Sequence, residues 1–269
     1  MTDAVLFERE GGVYLPTELA GSPWHPAMLH GGAPAALMAY CLERAVNDPG
    51  LQPTRLTIDL IRPVPKAPLS VLSRNLRTGK RIALEEVTLL ADNKPVAIAT
   101  GLFIRPQTVT VPDYAPHQAS TLPPPDQLPE VSFRDVLFSG NTSMPPGLHT
   151  TIQLRPASEL REQGQGRAWL RLPATIIAGE TNTPFMRAAL TSDFSNGVGQ
   201  LAINRQQGTI NADISLQLLR LPASEWIGVD ARTLLQDNGL ALVQAQLFDT
   251  QGLIGQVTQC AMPMGEYAR

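Results

Sequence analysis

Hydrophobic and polar residues alternate along much of the chain, and one long apolar segment interrupts this alternation. Residues 33–46 (APAALMAYCLERAV) are rich in Ala and Leu and contain no proline after Pro34. Ala and Leu are strong helix formers, and a proline in the first turn removes no helical hydrogen bond. The segment is apolar on nearly every face until Glu43-Arg44, so we predict a helix that is buried on almost all sides.

Four runs with the two-residue period of β-strands follow this helix. They span residues 54–62, 69–76, 82–90 and 96–104. The last two are joined by Asp92-Asn93-Lys94-Pro95, a composition typical of a hairpin turn. The sequence therefore predicts a buried helix followed by an antiparallel meander.

The same order of elements recurs in the second half. Residues 182–192 predict a helix with Asn182 or Thr183 as its N-cap and Pro184 at its first position. Strands are predicted at 150–157 and 167–172 before this helix, and at 210–221, 227–235, 240–248 and 254–262 after it. Arg62 and Arg220 end similar strand segments and are 158 positions apart. This offset favours two copies of one αβ unit, and the alternative is two unrelated α+β domains.

Proline divides the two halves. Nine of the 24 prolines lie between Pro106 and Pro146. Because proline fixes φ and lacks a backbone donor, we predict no helix or central strand there. The predicted organisation is an N-terminal unit at 1–105, a surface linker at 106–147 and a C-terminal unit at 148–269.

Composition and charge exclude several classes of protein. The chain has 21 basic and 24 acidic residues, a net charge of −3, which does not favour a nucleic-acid partner. No apolar run approaches the roughly 20 residues that span a bilayer, and the first residues do not resemble a secretory signal. Two cysteines and four histidines without ligand spacing predict no protein-held metal. We expect a cytoplasmic protein without a membrane partner.

Several short motifs, in this order and spacing, resemble those of the double hot-dog acyl-CoA thioesterases, the type represented by acyl-CoA thioesterase II. They are Leu29-His-Gly-Gly-Ala33, Asp59-Leu-Ile-Arg-Pro63, Arg77-Thr-Gly-Lys80, Asn93-Lys-Pro-Val96, Thr191-Ser-Asp-Phe194, Asn211-Ala-Asp-Ile-Ser215 and Val257-Thr-Gln-Cys260. The resemblance covers the chain except for the proline-rich linker. It implies an α+β tandem (double) hot-dog, with two long helices each wrapped by an antiparallel sheet and the two sheets joined edge to edge. It also implies hydrolysis of acyl-CoA, no cofactor, and a homodimer or higher homo-oligomer.

The resemblance also assigns candidate catalytic residues. In the family, an aspartate of the second helix, a hydroxyl-bearing residue and a glutamine position a water molecule. Asp193 and Gln259 match the aspartate and the glutamine, whereas Asn211 occupies the hydroxyl position. The alternatives are a helix-capping role for Asp193 and a solvent-facing strand position for Gln259.

The segment His30-Gly31-Gly32 precedes the first helix. Glycines let a backbone approach a ligand, and the unpaired N–H groups of a helix N-terminus favour negative charge. We therefore predict that these residues bind the thioester oxygen as it becomes negative. The alternatives are an ordinary loop, and a role for His30 as a base or as a packing partner of Trp24.

The repeat offset predicts one composite site per chain. If 158 applies throughout, Asp193 and Gln259 correspond to Ala35 and Gly101, and residues 30–32 correspond to 188–190. Each half would then supply what the other lacks. Two other functions remain open. One is a hydratase or dehydratase, although His30 lacks a partner acid in its own helix. The other is a non-catalytic acyl-CoA or lipid-binding module, which Asn211 favours.

Overall fold

The computed structural model describes residues 4–116, 120, 122–137, 145–160, 163–201 and 208–264. The first half contains one long helix and six strands. They are β1 (Val5–Glu10), β2 (Val13–Pro16), α1 (Gly32–Val46), β3 (Gln52–Leu60), β4 (Leu69–Arg77), β5 (Ile82–Ala91) and β6 (Lys94–Ile104). The predicted helix and meander are confirmed, whereas β1 was not predicted.

The second half repeats this order with more interruptions. Its elements are α2 (Phe133–Leu137), α3 (Leu148–Thr151), β7 (Gln153–Pro156), β8 (Gln165–Arg171), β9 (Thr175–Ile177), α4 (Pro184–Asp193), α5 (Ser195–Val198), β10 (Thr209–Asn211), β11 (Asp213–Leu218), β12 (Ile227–Leu235), β13 (Ala241–Asp249) and β14 (Gly252–Pro263). The predicted strand at 150–157 is shorter than expected because its first residues form the helical turn α3. The predicted strand at 210–221 is interrupted at Ala212 and ends at Leu218.

The strands of both halves form one continuous sheet. Its order is β7-β8-β12-β13-β14-β11-β3-β6-β5-β4-β2-β1-β9, with β10 also paired to β14. The halves meet edge to edge at β3 and β11, which confirms the predicted join. All neighbouring strands are antiparallel except β1 and β9, which pair in parallel and link the start of the first half to the second half.

The two long helices are held by the features that their sequences predict. In α1 every residue from Gly32 to Leu42 is buried, as expected for an Ala- and Leu-rich helix inside a curved sheet. In α4 the Thr183 hydroxyl accepts a hydrogen bond from the Met186 N–H at 3.1 Å, and Pro184 takes the first position. Thr183 is therefore the N-cap. The helices are antiparallel neighbours, so the start of α1 lies beside the end of α4.

The proline-rich segment is less extended than predicted. The prediction of no helix is wrong at α2, since Pro129 and Pro145 flank residues 133–137 and no proline falls within them. Leu122 and Phe133 are also buried against the second half, so the segment does not lie wholly on the surface. The boundaries at 105 and 148 remain predictions.

The repeat offset is confirmed for the strands but wrong for the helices. Thr57 pairs with Ser215, 158 positions later, so a pseudo-two-fold axis passes between these two residues. The N-caps Gly31 and Thr183 are only 152 positions apart. The second half therefore has six more residues (158 less 152) between its helix start and its first central strand.

This difference changes the predicted correspondences. The counterpart of Asp193 is Cys41 and not Ala35, and residues 30–32 correspond to 182–184 and not to 188–190. Gly101 remains the counterpart of Gln259, because Gly101 pairs with Glu85 as Gln259 pairs with Val243. The second half still lacks the two glycines.

An ion pair between a partly exposed arginine and a buried carboxylate fixes the turn after β13. Asp249 is fully buried, and both of its carboxylate oxygens accept hydrogen bonds of 2.6 Å from Arg220. Burial by itself raises the pKa of Asp249, but the bonds from Arg220 and from the N–H groups of Ala223 and Gln251 outweigh it and lower the pKa. Arg220 thus holds the turn after β13 in place at the edge of the second half.

We expect Asp249→Ala to lower the free energy of unfolding by about 3 kcal/mol, because it leaves Arg220 and two backbone donors without their acceptor. Chemical denaturation with urea measures this loss. The control is Glu225→Ala, which removes an exposed partner 3.8 Å from Arg171 and should cost no more than about 0.5 kcal/mol. Equal losses in the two variants would show that the buried pair contributes no more than a surface salt bridge.

Candidate active site

A cavity of about 350 Å³ lies where the start of α1 meets the end of α4. Both halves line it. The first half contributes the loop before α1 and the segment after β3, and the second half contributes the end of α4, β10 and α2. Four of the predicted site residues line this cavity, namely His30, Gly31, Asp193 and Asn211.

Asp193 is the last residue of α4 and is 8% exposed. Its Oδ2 lies 2.9 Å from His30 Nδ1, and its Oδ1 accepts a hydrogen bond of 3.1 Å from Asn211 Nδ2. These contacts are with side chains of the loop before α1 and of β10, whereas a capping aspartate would bond to its own helix backbone. The structure thus brings together three residues that the sequence separates by up to 181 positions.

His30 is oriented by its neighbours. Its Nδ1 lies 2.9 Å from Asp193 and 3.2 Å from the Gly32 N–H. Nδ1 cannot donate to the first and accept from the second at once. The shorter contact is with a carboxylate, which only accepts, so we assign the proton to Nδ1 and leave the Gly32 N–H available to another acceptor. The ring stacks on Phe194 with centroids 4.5 Å apart.

The two glycines bring the helix N-terminus against the carboxylate. A Cβ added to Gly31 would lie 2.6 Å from Asp193 Oδ1, which is too close for any side chain. The Gly31 N–H has no hydrogen-bond acceptor among the described residues. The backbone of Gly31 therefore lies beside Asp193 at the positive end of α1, and the Gly32 N–H lies next to it, facing His30 Nδ1.

Gln259 lies behind this arrangement. It is fully buried, so the alternative of a solvent-facing strand residue is wrong. Its Nε2 donates to the Ser192 carbonyl at 3.1 Å, next to Asp193 in the chain. Within the described part of the chain its Oε1 has no hydrogen-bond partner. Gln259 supports the end of α4 and does not line the cavity.

Comparison with known proteins agrees with this architecture. The family model of the acyl-CoA thioesterase N-terminal domain matches residues 20–104, and that of the C-terminal domain matches residues 119–262. The chain belongs to the acyl-CoA thioesterase family. Among curated proteins, no sequence matches this thioesterase.

Solved structures show the same fold. A hot-dog protein of unknown function from Alicyclobacillus acidocaldarius has a TM-score of 0.70 at 18% identity, over 98% of each chain. Acyl-CoA thioesterase II TesB2 from Mycobacterium marinum has a TM-score of 0.64 at 17% identity, over 96% of this chain and 95% of that one. The tesB protein of Mycobacterium avium subs paratuberculosis has a TM-score of 0.63 at 18% identity, over 96% of each chain. The predicted double hot-dog fold is confirmed.

The thioesterase cavity contains residues that sequence reasoning missed. His149 in α3 is 1% exposed and lines the cavity, and Phe133 and Phe194 form an aromatic wall with centroids 5.3 Å apart. Burial lowers the pKa of His149 to about 4, and the nearby His30 lowers it further in the same direction. No local motif marks His149, because its neighbours at 150–157 predict only a strand. No group of three His, Cys, Asp or Glu side chains in the described residues has the geometry to hold a metal ion.

The buried His149 predicts a loss of stability in mild acid. Its pKa is about 4 in the folded protein against an ordinary 6.5, so the unfolded chain takes up this proton first as the pH falls. The contribution is complete above pH 6.5 and is lost between pH 6.5 and about 4, amounting to at most about 3 kcal/mol. Urea unfolding across this range measures it. His149→Gln should flatten the pH dependence, whereas His25→Gln, at an exposed histidine, should not; equal slopes in all three proteins would contradict this role for His149.

None of the helices in the described residues is long and apolar enough to cross a membrane.

Proposed function

We propose that this thioesterase hydrolyses acyl-CoA to a free acid and coenzyme A, with Asp193 as the general base. The observation that carries the proposal is the buried Asp193 carboxylate beside the backbone of Gly31 at the N-terminus of α1. A base and an oxyanion site next to each other are what hydrolysis of a thioester requires. Neither half of the chain supplies both.

In the proposed reaction, Asp193 accepts a proton from water while the water oxygen attacks the carbonyl carbon of the thioester. The carbonyl oxygen becomes negative and accepts hydrogen bonds from the N–H groups of Gly31 and Gly32. The tetrahedral intermediate then breaks its C–S bond. The coenzyme A thiolate leaves and takes up the proton held by Asp193, which restores the base.

His30, Asn211 and Gln259 position the base in this proposal. The Nδ1–H of His30 and the Nδ2 of Asn211 each bond to a different oxygen of Asp193, so the carboxylate is held from two sides. Gln259 holds the backbone at Ser192, and its unused Oε1 is an acceptor for water. An asparagine amide both donates and accepts, so Asn211 is able to hold water where the family has a hydroxyl.

Release of free thiol from a panel of acyl-CoA thioesters tests the proposal. We expect turnover in the parent protein, a moderate loss in Gln259→Ala, and equal or higher turnover in Asn211→Thr, which restores the family's hydroxyl. Gln259→Ala should cost less than removal of Asp193, because Gln259 takes no proton. Binding of acyl-CoA without any thiol release would instead support the non-catalytic binding module.

One observation favours a second candidate function, the hydration or dehydration of an acyl thioester. His30 has no acid partner from its own helix, but Asp193 from the other half lies 2.9 Å from it. A histidine and an acid in one cavity are the groups that such a reaction uses. Conversion of an enoyl-CoA without thiol release would identify this activity, whereas thiol release from saturated acyl-CoA identifies hydrolysis.

We also propose that the protein is cytoplasmic and self-associates as a homodimer or higher homo-oligomer. Cys41 and Cys260 are both free thiols, which agrees with a reducing compartment. A monomeric mass by light scattering at micromolar concentration would contradict the proposed self-association.

A further inference from the structure

Two arginines occupy equivalent places in the two halves but have different surroundings. Arg62 follows β3 and Arg220 follows β11, and they are 158 positions apart, as are the paired strands. Arg220 is neutralised by the buried Asp249. At the same offset, the first half has Ala91 in place of that aspartate. The first half therefore has the arginine without the aspartate that pairs with it in the second half.

The surroundings of Arg62 leave its charge uncompensated. Its Nη1 donates to the Pro95 carbonyl at 2.5 Å, and a carbonyl does not neutralise a guanidinium. Among the described residues, no carboxylate lies within 4.0 Å of Arg62. By contrast, the nearby Lys66 is paired with Glu18 at 2.6 Å.

Arg62 lies at the open end of the cavity. The cavity residues Trp24, Ile61 and Met262 are 43%, 44% and 48% exposed, and Arg62 is exposed beside them. At the other end, Asp193 and His149 are 8% and 1% exposed. Coenzyme A is too large and too highly charged to be enclosed in a cavity of about 350 Å³, so a substrate whose thioester reaches Asp193 extends its thiol portion through the open end, where Arg62 lies.

We infer that Arg62 binds a phosphate group of the coenzyme A portion of the substrate, an inference that rests on the proposed function. Two features of the geometry support it. The Arg62 guanidinium lies unneutralised at the mouth of the cavity, and the proposed base, Asp193, lies at the closed end of the same cavity. A guanidinium binds phosphate oxygens through two parallel hydrogen bonds, and it keeps its charge at every working pH. The whole chain carries a net charge of −3, so a local cation is needed to attract a polyanionic substrate.

The test compares thioesters of one acyl group that differ only in the thiol portion: acyl-pantetheine, acyl-4′-phosphopantetheine and acyl-CoA. In Arg62→Gln we expect the ratio of kcat/KM for acyl-CoA to that for acyl-pantetheine to fall about tenfold, the usual size of one charge-assisted contact. The loss should appear mainly in KM, and added salt should slow acyl-CoA hydrolysis more in the parent than in the variant. Arg62→Lys should recover part of the ratio.

Arg77→Gln, which removes an exposed arginine outside the cavity, is the matched control and should leave the ratio unchanged. Acyl-4′-phosphopantetheine shows whether the effect of Arg62→Gln depends on the phosphate next to pantetheine or on the nucleotide phosphates. Equal losses on acyl-pantetheine and acyl-CoA, or no loss on either, would overturn the role of Arg62 while leaving the hydrolytic function intact. If the parent hydrolyses none of the three compounds, the proposed function itself fails.

Discussion

Replacement of Asp193 by Asn should lower thioesterase turnover by about 10²–10⁴-fold, the usual contribution of a positioned general base. The substitution keeps the shape of the side chain and retains one oxygen that can accept the His30 proton, while removing the basic group. Thiol release with a saturating acyl-CoA measures the loss. Stability should change little, because the hydrogen bond to His30 remains possible.

Two controls separate chemistry from binding and folding. Affinity for a non-hydrolysable acyl-CoA analogue should stay within a few fold, since binding depends on the rest of the cavity. Asp213→Asn makes the same exchange on β11, outside the cavity, and should leave turnover near that of the parent. If turnover is indifferent to Asp193→Asn, the base lies elsewhere, and His30 is the next candidate.

Gly31→Ala should also lower turnover, by about 10²-fold, because it moves the carboxylate. The added methyl carbon would lie 2.6 Å from Asp193 Oδ1, so the aspartate must shift, and misplacement of a catalytic group by about 1 Å costs this much. Gly31 has an ordinary φ of −56°, so Ala introduces no backbone strain. The matched control is Gly208→Ala at the same cavity, where the new Cβ meets nothing within 4 Å.

A double variant tests whether the two effects share one cause. If Gly31→Ala acts by displacing Asp193, it should cost little further turnover in a protein that already carries Asp193→Asn. Full additivity of the two losses would show that Gly31 acts independently of the carboxylate, for example through its N–H alone. Thermal unfolding of each variant checks that the loss of turnover does not follow from a loss of fold.

The elements with strong local signals were predictable from the sequence. Residues 33–46 formed the expected helix because nearly all of them are apolar, and Pro184 after Thr183 marked the start of α4. Asp193, Asn211 and His30 could be selected from motifs, yet the contact of His30 with Asp193 depends on packing between the two halves, which no local pattern describes. The contact between the Asp193 carboxylate and His30 arises only because α1 and α4 are antiparallel neighbours. This contact supplies the acid partner that the chemistry of a hydratase requires.

Non-local geometry accounts for the errors. Equivalent strand residues of the two halves are 158 positions apart because the hydrogen-bonded register fixes them. The helices α1 and α4 have a different offset because the second half has extra residues between α4 and β11. The sequence shows His149 only as one of four histidines. Its position in the cavity depends on packing against the first half of the chain, which no local pattern describes. The prolines on both sides of α2 predict no helix in this segment. No proline lies within residues 133–137, so a short helix forms there.

The parallel pairing of β1 with β9 has a consequence for how the protein folds during synthesis. Val5 pairs with Thr175, so β1 obtains its second neighbour only after about 170 further residues have been synthesised. At roughly 5–20 residues per second, this strand waits on the order of 10–30 s with only β2 beside it. An exposed strand edge can recruit another nascent chain in that interval, so the hairpin of β1 and β2 is open to misassembly on the polysome until β9 has been made.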